Sequence, residues 1–417
     1  MLNEVNASII TIGDELLIGQ TIDTNSAWMA KVLNDIGIWV HRRVAVGDVW
    51  DDIWETLEQE SKKSKLVLIT GGLGPTADDI TKPLLCSFFG GKLVVDPNAL
   101  TNVKHIFEQL LKRPLLERNL KQAEVPDVCT PIQNLRGTAP GMWFEKEGCI
   151  FISMPGVPHE MQGMMMNQVL PKLKDKYDLQ PVYHRTLLTA GIGESFLAEK
   201  IHSLESALPS FIKLAYLPNY GMVRLRLTAK NGGLETEKEI DHQFTLLKNQ
   251  VSDYLVVDKD VTLQEVIANM LTARNKTVGT AESCTGGYIA HLLTTIPGSS
   301  AFYKGSIISY DNEIKASLLD VSSSTLVDFG AVSKETATEM AIGALKQLQT
   351  DYVIITTGIM GPGGETPEKP VGGVWIGVAS KLQIEVRFFH FRFDRQRNME
   401  LTAVNALNEL RKLILQE

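Results

Sequence analysis

The sequence predicts an α/β protein built as two α/β layered domains, the first doubly wound, joined by a small α+β module. Three observations carry this. Short β-branched runs alternate with helical spacings over residues 1–170, the same alternation returns over 260–417, and half-exposed strand patterns with two helices fill 180–255. A chain of 417 residues also exceeds what one hydrophobic core normally organises.

In order, "ASIITIG" reads as a buried strand ending at Gly13, and "TNSAWMAKVLNDIG" as a helix with Trp28, Val32, Leu33 and Ile36 on one face and a Gly37 stop. "WVHRRVAVGD" is a second strand, and "VWDDIWETLEQESKK" an amphipathic helix. "SKLVLITGGLGPT" is a strand running into a glycine loop, after which Asp78 and Asp79 are expected to open a helix. This alternation predicts a parallel sheet with ligands at the strand carboxyl ends. In the module, "HRTLLTAG" and "MVRLRLTAKN" alternate like antiparallel strands, and "IGESFLAEKIHSLES" and "LETEKEIDHQFTLLKNQVSDY" are helical. Thr262 with Glu265 has capping-box spacing and opens the third unit. There "KTVGTAESCTGG", "YKGSIISYDN", "DYVIITTGIMGPGG" and "GGVWIGVAS" are strands or strand exits. The "MMM" at 164–166 reads as packing.

Composition bounds the function. A net charge of −8 argues against broad nucleic-acid or acidic-membrane binding. The four cysteines form no CxxC pair, which speaks against a disulfide scaffold or structural zinc and for a reducing compartment. No basic and apolar leader is legible at the start of the chain and no apolar run is of bilayer length, so a cytoplasmic protein is expected.

The chemistry concentrates after a strand in "AESCTGG", where Ser283 and Cys284 precede Gly286 and Gly287. Amides at a helix start can hold an anion or a developing oxyanion, and Ser283 can equally be the helix N-cap. A thiol is the better nucleophile alone, whereas a serine needs a base. "SYDNEIK" offers one in Lys315, with Tyr310 able to relay a proton; alone, each reads equally as a solvated or packing residue. The glycines of "TTGIMGPGG" can present amides to a phosphate or carbonyl, and Arg392, Arg395 and Arg397 precede the last helix.

Taken together, "AESCTGG", "SYDNEIK" and "TTGIMGPGG" resemble the carboxyl-terminal domain of the competence/damage-inducible CinA family, the nicotinamide-nucleotide amidase domain, from about residue 260 onward. The resemblance implies hydrolysis of NMN to nicotinic acid mononucleotide and ammonia without a cofactor. It implies Ser283 as nucleophile, Tyr310 and Lys315 as the proton-handling pair, and Thr285, Gly286, Gly287, Thr357, Gly358, Gly361 and Gly363 around the substrate. Arg397 is implied near the phosphate, with Arg395 the alternative.

In the first domain "GDELLIGQTIDTN", "GGLGPTADD" and "MPGVPHEM" resemble the amino-terminal CinA domain, related to molybdopterin-binding domains. This implies metal-dependent cleavage of ADP-ribose to AMP and ribose 5-phosphate. Glu15, Asp23 and Asp79 would meet a divalent ion (Mg, Co, Ni or Mn), while Gly71, Gly72, Gly74, Thr76 and Asn25 would contact the substrate. From the residues alone, Asp23 and Asp79 read as helix N-caps. Asp78 stands where many molybdopterin-binding relatives carry a basic residue. The middle module resembles the KH-like domain of the family but lacks a GxxG clamp with basic flanks, so no nucleic-acid partner is inferred. The expected whole is a homodimeric pyridine-nucleotide salvage enzyme. The alternatives are a nucleotide-binding regulatory or scaffold protein and a molybdopterin-handling protein.

Overall fold

The computed structural model describes residues 5–76, 79–219, 221–230 and 232–417; Asp78 lies outside them. The chain divides into two compact units, residues 1–183 with 229–238, and 184–228 with 239–417.

The first unit is built on a six-stranded sheet of β1 (Asn6–Ile12), β2 (Trp39–Val46), β3 (Leu66–Thr70), β4 (Thr130–Ile132), β5 (Gly141–Lys146) and β6 (Cys149–Met154), in the order β2-β1-β3-β6-β5-β4. The first four strands of that order are parallel; β5 is antiparallel to β6, and β4, antiparallel to β5, runs with the first four. The purely parallel expectation is corrected here, because a tight turn at Glu147 and Gly148, both left-handed, reverses the chain between β5 and β6. Helices α1 (Thr24–Asp35), α2 (Trp50–Ser61) and α3 (Thr81–Phe88) pack on the two faces. Met29 and Leu33 join one apolar cluster with Ile9 and Leu68, while Ile53, Leu57 and Leu85 join the other with Ile10 and Ile69. The strand period of two thus feeds both layers at once. Helix α3 begins at Thr81, two residues later than expected, because the Asp79 carboxylate is spent closing its own loop.

The second unit holds a five-stranded sheet and most of a four-stranded one. The latter contains β7 (Tyr183–Ala190), β8 (Ile212–Asn219), β9 (Met222–Ala229) and β10 (Leu255–Val257), in the order β8-β9-β7-β10, with helices α4 (Glu194–Ala207) and α5 (Leu234–Gln250). This small module shares a core with the carboxyl-terminal layers: Leu188 and Met222 lie in the same apolar cluster as Leu263, Ile354 and Leu407. The five-stranded sheet contains β11 (Val278–Glu282), β12 (Tyr303–Ile308), β13 (Tyr352–Gly358), β14 (Gly373–Ser380) and β15 (Ile384–His390), in the order β12-β11-β13-β14-β15. Its first three strands are parallel; β14 is antiparallel to both β13 and β15, so β15 runs with the first three. Helices α6 (Leu263–Ala273), α7 (Tyr288–Thr294) and α10 (Arg395–Gln416) cover one face; α8 (Asn312–Leu319) and α9 (Lys334–Leu348) cover the other. The capping box of α6 forms, with the Thr262 amide donating to Glu265 at 2.6 Å and the Glu265 amide to Thr262 at 3.4 Å. No helix among the described residues is long and apolar enough to cross a membrane.

Candidate active site

In the second unit the parallel register decides which side chains meet. Glu282 pairs with Ile308 on one side and Thr356 on the other, so the next step sets Ser283 between Ser309 and Thr357. Each of these three stands two residues after one packed on the α9 face, namely Ala281, Ile307 and Ile355. Strand alternation, extended one residue past the ends of β11 and β12, assigns all three to that face. Lys315 lies one helical turn before Leu319, which packs there too. Cys284 belongs to the opposite face, buried among Ile289, Leu293 and Ile354. The thiol is thereby packed among apolar side chains, yet it stays close enough to Lys315 for the two groups to interact electrostatically.

Lys315 is only 1 % exposed, and its Nζ donates to the carbonyls of Ser309 at 2.8 Å and Tyr310 at 3.1 Å. Burial pushes its pKa below the ordinary lysine value, against the opposing pull of Cys284 and Asp311. A neutral amine has two N–H groups and one lone pair. With both N–H groups held by carbonyls, the lone pair takes the remaining corner, the geometry of a general base. The Cys284 thiol is pushed up to about 12, chiefly by burial.

The turn itself is held by Glu282, a residue to which the motif alone assigns no role. Its wholly buried carboxylate accepts from the amides of Gly287 (3.0 Å), Ile289 (3.1 Å) and Ala290 (2.9 Å) and the hydroxyls of Thr280 (2.9 Å) and Thr285 (2.7 Å). The N-cap of α7 is Gly287, so Ser283 is not the cap. The start of α7 is not an open anion site either, because Glu282 fills it. Of the turn's amides, Cys284, beside its own sulfur, and Thr285 have no other acceptor among the described residues. Gly286 and Gly287 sit at φ 59° and 96°, the left-handed conformation that favours glycine. Glu282→Gln exchanges an acceptor for a donor facing these amides. We expect a loss of about 3 kcal/mol from the carboxyl-terminal unit, read as a lower urea midpoint; an unchanged midpoint contradicts the capping role.

The other expected residues are spread around this turn. Tyr310 is 64 % exposed, and its hydroxyl meets Arg395 Nη2 at 3.2 Å; only its carbonyl reaches Lys315. Arg395 also donates to the Gly361 carbonyl at 2.7 Å, tying the glycine loop to the tyrosine. Arg397 points elsewhere, stacking 4.6 Å over the Phe393 ring beside a cavity of about 590 Å³ lined by Gly193, Met222 and Leu401. Two residues of helix thus separate the two arginines, and Arg395 is the one brought to the site. Thr357 is buried with its hydroxyl donating to the Ala331 carbonyl at 2.7 Å, while Gly358 ends β13 and Gly363 lies on the loop after it.

In the first unit the strand ends converge at the point where the chain turns from β2 to the other side of β1. Gly71 is needed there, since a Cβ would lie 2.1 Å from the Ile12 carbonyl. Asn25 donates to the Gly156 carbonyl at 2.7 Å and to Thr70 at 3.3 Å, and its Oδ1 is buried with no hydrogen-bond partner. The carboxylates are differently engaged. Asp23 caps α1, accepting from the Ser26 amide at 2.9 Å and from the Ser26 hydroxyl. Asp79 accepts from the amides of Gly74 (2.8 Å) and Thr76 (2.9 Å), two donors expected to face phosphate. Glu15 folds back over Gly13, and Gly72 packs on Thr81. Among the described residues no three His, Cys, Asp or Glu side chains come together as a metal-binding group. Glu15, Asp23 and Asp79 do not fit a divalent ion as one ligand set in this arrangement. Lys82, which no sequence motif singles out, is buried at the start of α3; burial lowers it to about 8 while Glu124 and Asp79 raise it.

Residues 260–414 match the family described as the CinA C-terminal domain, residues 8–175 a probable molybdopterin binding domain, and residues 184–256 the damage-inducible protein CinA KH domain. A CinA-like protein of Flavobacterium psychrophilum is 44% identical over 413 residues, covering 99% of each chain. One of Cytophaga hutchinsonii is 41% identical over 413 residues with the same coverage. Among solved structures, competence/damage inducible protein CihA from Agrobacterium tumefaciens is 38% identical, covering 37% of this chain and 94% of that one, with a TM-score of 0.36. Identity sustained over nearly the whole length of both chains, across all three matched segments, means that the chain belongs to the CinA family.

Proposed function

We propose that the carboxyl-terminal unit is a serine amide hydrolase that converts the carboxamide of NMN to the acid, releasing ammonia. The observation that carries this reading is Lys315, a buried amine whose Nζ donates to the carbonyls of Ser309 and Tyr310 at the end of β12, the strand paired with the one that leads into Ser283. Ser283 Oγ attacks the carboxamide carbon as its proton passes toward Lys315. The developing oxyanion is met by the amides of Cys284 and Thr285, the donors of the turn that Glu282 leaves available. The proton returns to the amine as the C–N bond breaks, ammonia leaves, and water resolves the acyl-enzyme. Tyr310 forms a wall at the mouth, and Arg395 keeps donors beyond its two bonds for an anionic phosphate. The test is ammonia and nicotinic acid mononucleotide production from NMN by the full chain; absence of both products overturns the substrate assignment.

A second reading concerns the first unit, where Asn25 bonds Gly156 and Thr70 at the strand ends through Nδ2 and leaves its buried Oδ1 without a partner. A nucleotide such as ADP-ribose, with ribose hydroxyls to donate, suits that acceptor. Asn25→Ala is expected to weaken ADP-ribose binding about tenfold by calorimetry; equal affinity removes this reading. No bond-breaking step is derived for this unit, since its carboxylates are bound to their own loops.

A further inference from the structure

Ser309 lies in the active-site layer yet has no place in the attack by Ser283 as described. It is wholly buried, its amide donates to the Glu282 carbonyl at 2.9 Å, and its carbonyl accepts from Lys315 at 2.8 Å. Its hydroxyl is buried without any hydrogen-bond partner. Such a group costs folding free energy that an alanine would not, so its presence calls for an explanation. The register supplies one. Ser309 is the parallel-strand neighbour of Ser283, one step past the Glu282–Ile308 pair, and alternation from Ala281 and Ile307, carried one step beyond the strand ends, assigns both side chains to the face that the Lys315 helix covers. In the resting arrangement the Ser309 hydroxyl bonds neither Ser283 Oγ nor Lys315 Nζ; neighbouring strands stand about 4.8 Å apart, so rotation about its χ1 is what brings it to either partner.

We propose that Ser309 is a further catalytic residue, its hydroxyl relaying the proton between Ser283 and Lys315. The proposal rests on the amide-hydrolase reading of this unit. As Ser283 Oγ bonds to the carboxamide carbon, the Ser283 O–H bond breaks and its proton goes to Ser309 Oγ. The Ser309 proton passes in the same step to the lone pair of Lys315 Nζ, forming the ammonium, and the carbonyl electron pair moves onto oxygen. In collapse the relay runs backward: the ammonium protonates Ser309, Ser309 protonates the leaving nitrogen, and the C–N bond breaks to give ammonia. Ser309 ends each half-reaction with one proton, as it began.

The experiment uses the full chain as wild type, Ser309→Ala, Ser309→Thr and Ser283→Ala. It reads ammonia release from NMN, the pH dependence of fluorophosphonate labelling followed by intact mass, and melting temperature. Ser309→Ala is expected to lower kcat and the labelling rate about 100-fold, with KM within twofold and a melting temperature at or above wild type; Ser309→Thr recovers most of both rates. Labelling and turnover of Ser309→Ala within threefold of wild type overturn the relay, as does a rate loss with a lower melting temperature that threonine does not rescue. Wild type that labels at Ser283 but releases no ammonia overturns the NMN assignment alone, and the relay is then judged on labelling. Wild type that neither labels nor turns over removes both.

Discussion

Ser283→Ala is expected to abolish ammonia release from NMN, a fall in kcat of about 1000-fold or more, while Cys284→Ala keeps most of the activity. The two residues are neighbours in sequence and opposites in environment. Ser283 continues the β11 ladder, its amide donating to the Thr356 carbonyl at 3.0 Å, and lies on the Lys315 side of the sheet. Cys284 is packed among Ile289, Leu293 and Ile354, with its thiol held near 12 by burial and by the Glu282 charge. At neutral pH almost none of it is thiolate, so its intrinsic nucleophilicity is not expressed. Removing it costs packing, about 1 kcal/mol, and not chemistry. Steady-state ammonia assays on both variants decide the matter. Activity surviving in Ser283→Ala and vanishing in Cys284→Ala would reverse the assignment.

Lys315→Met is the second large effect. Methionine fills the buried space without a lone pair, and kcat is expected to fall about 1000-fold with little change in KM. The wild-type pH profile has a defined sign. Burial lowers the folded-state pKa of Lys315, so the neutral base grows as pH rises through that value and kcat/KM rises with it before levelling. Stability moves the same way. Between the lowered folded-state pKa and the ordinary value near about 10.4, the unfolded chain carries one more proton at this site, so the native state gains stability as pH rises. Lys315→Met loses both dependences, read as a flat residual rate profile and urea midpoints that no longer climb over that window. A variant retaining a tenth of wild-type turnover refutes the base assignment.

Much of the architecture is legible because it depends on local pattern. The strand of "ASIITIG", the helix ended by Gly37 and the Thr262–Glu265 box need only residues within a turn or two of one another. The reversed β5 is less visible, because a strand's pattern does not record its direction. The site residues divide by the same logic. "SYDNEIK" places Lys315 on a helix just after a strand, but its depth depends on α9 and the sheet around it. Arg395 and Arg397 are equivalent in the sequence; only the rotation of α10 sends one to Tyr310 and the other over Phe393. The reading of Asp23 as an N-cap rests on its own helix and holds, whereas Asp79 binds the loop before it.

By itself the sequence determined the strand-to-turn unit "AESCTGG", its two candidate nucleophiles, the presence of a lysine in reach, and the family to which these motifs point. Only the tertiary structure decided that Lys315 and Cys284 are buried, that Glu282 occupies the helix start, and that Ser309 follows Ile308 beside the Glu282–Ser283 step. The reason is the pleat. Adjacent residues along an extended chain leave toward different surroundings, so a one-residue difference in sequence becomes, after folding, a place inside the apolar cluster for Cys284 and a place outside it for Ser283.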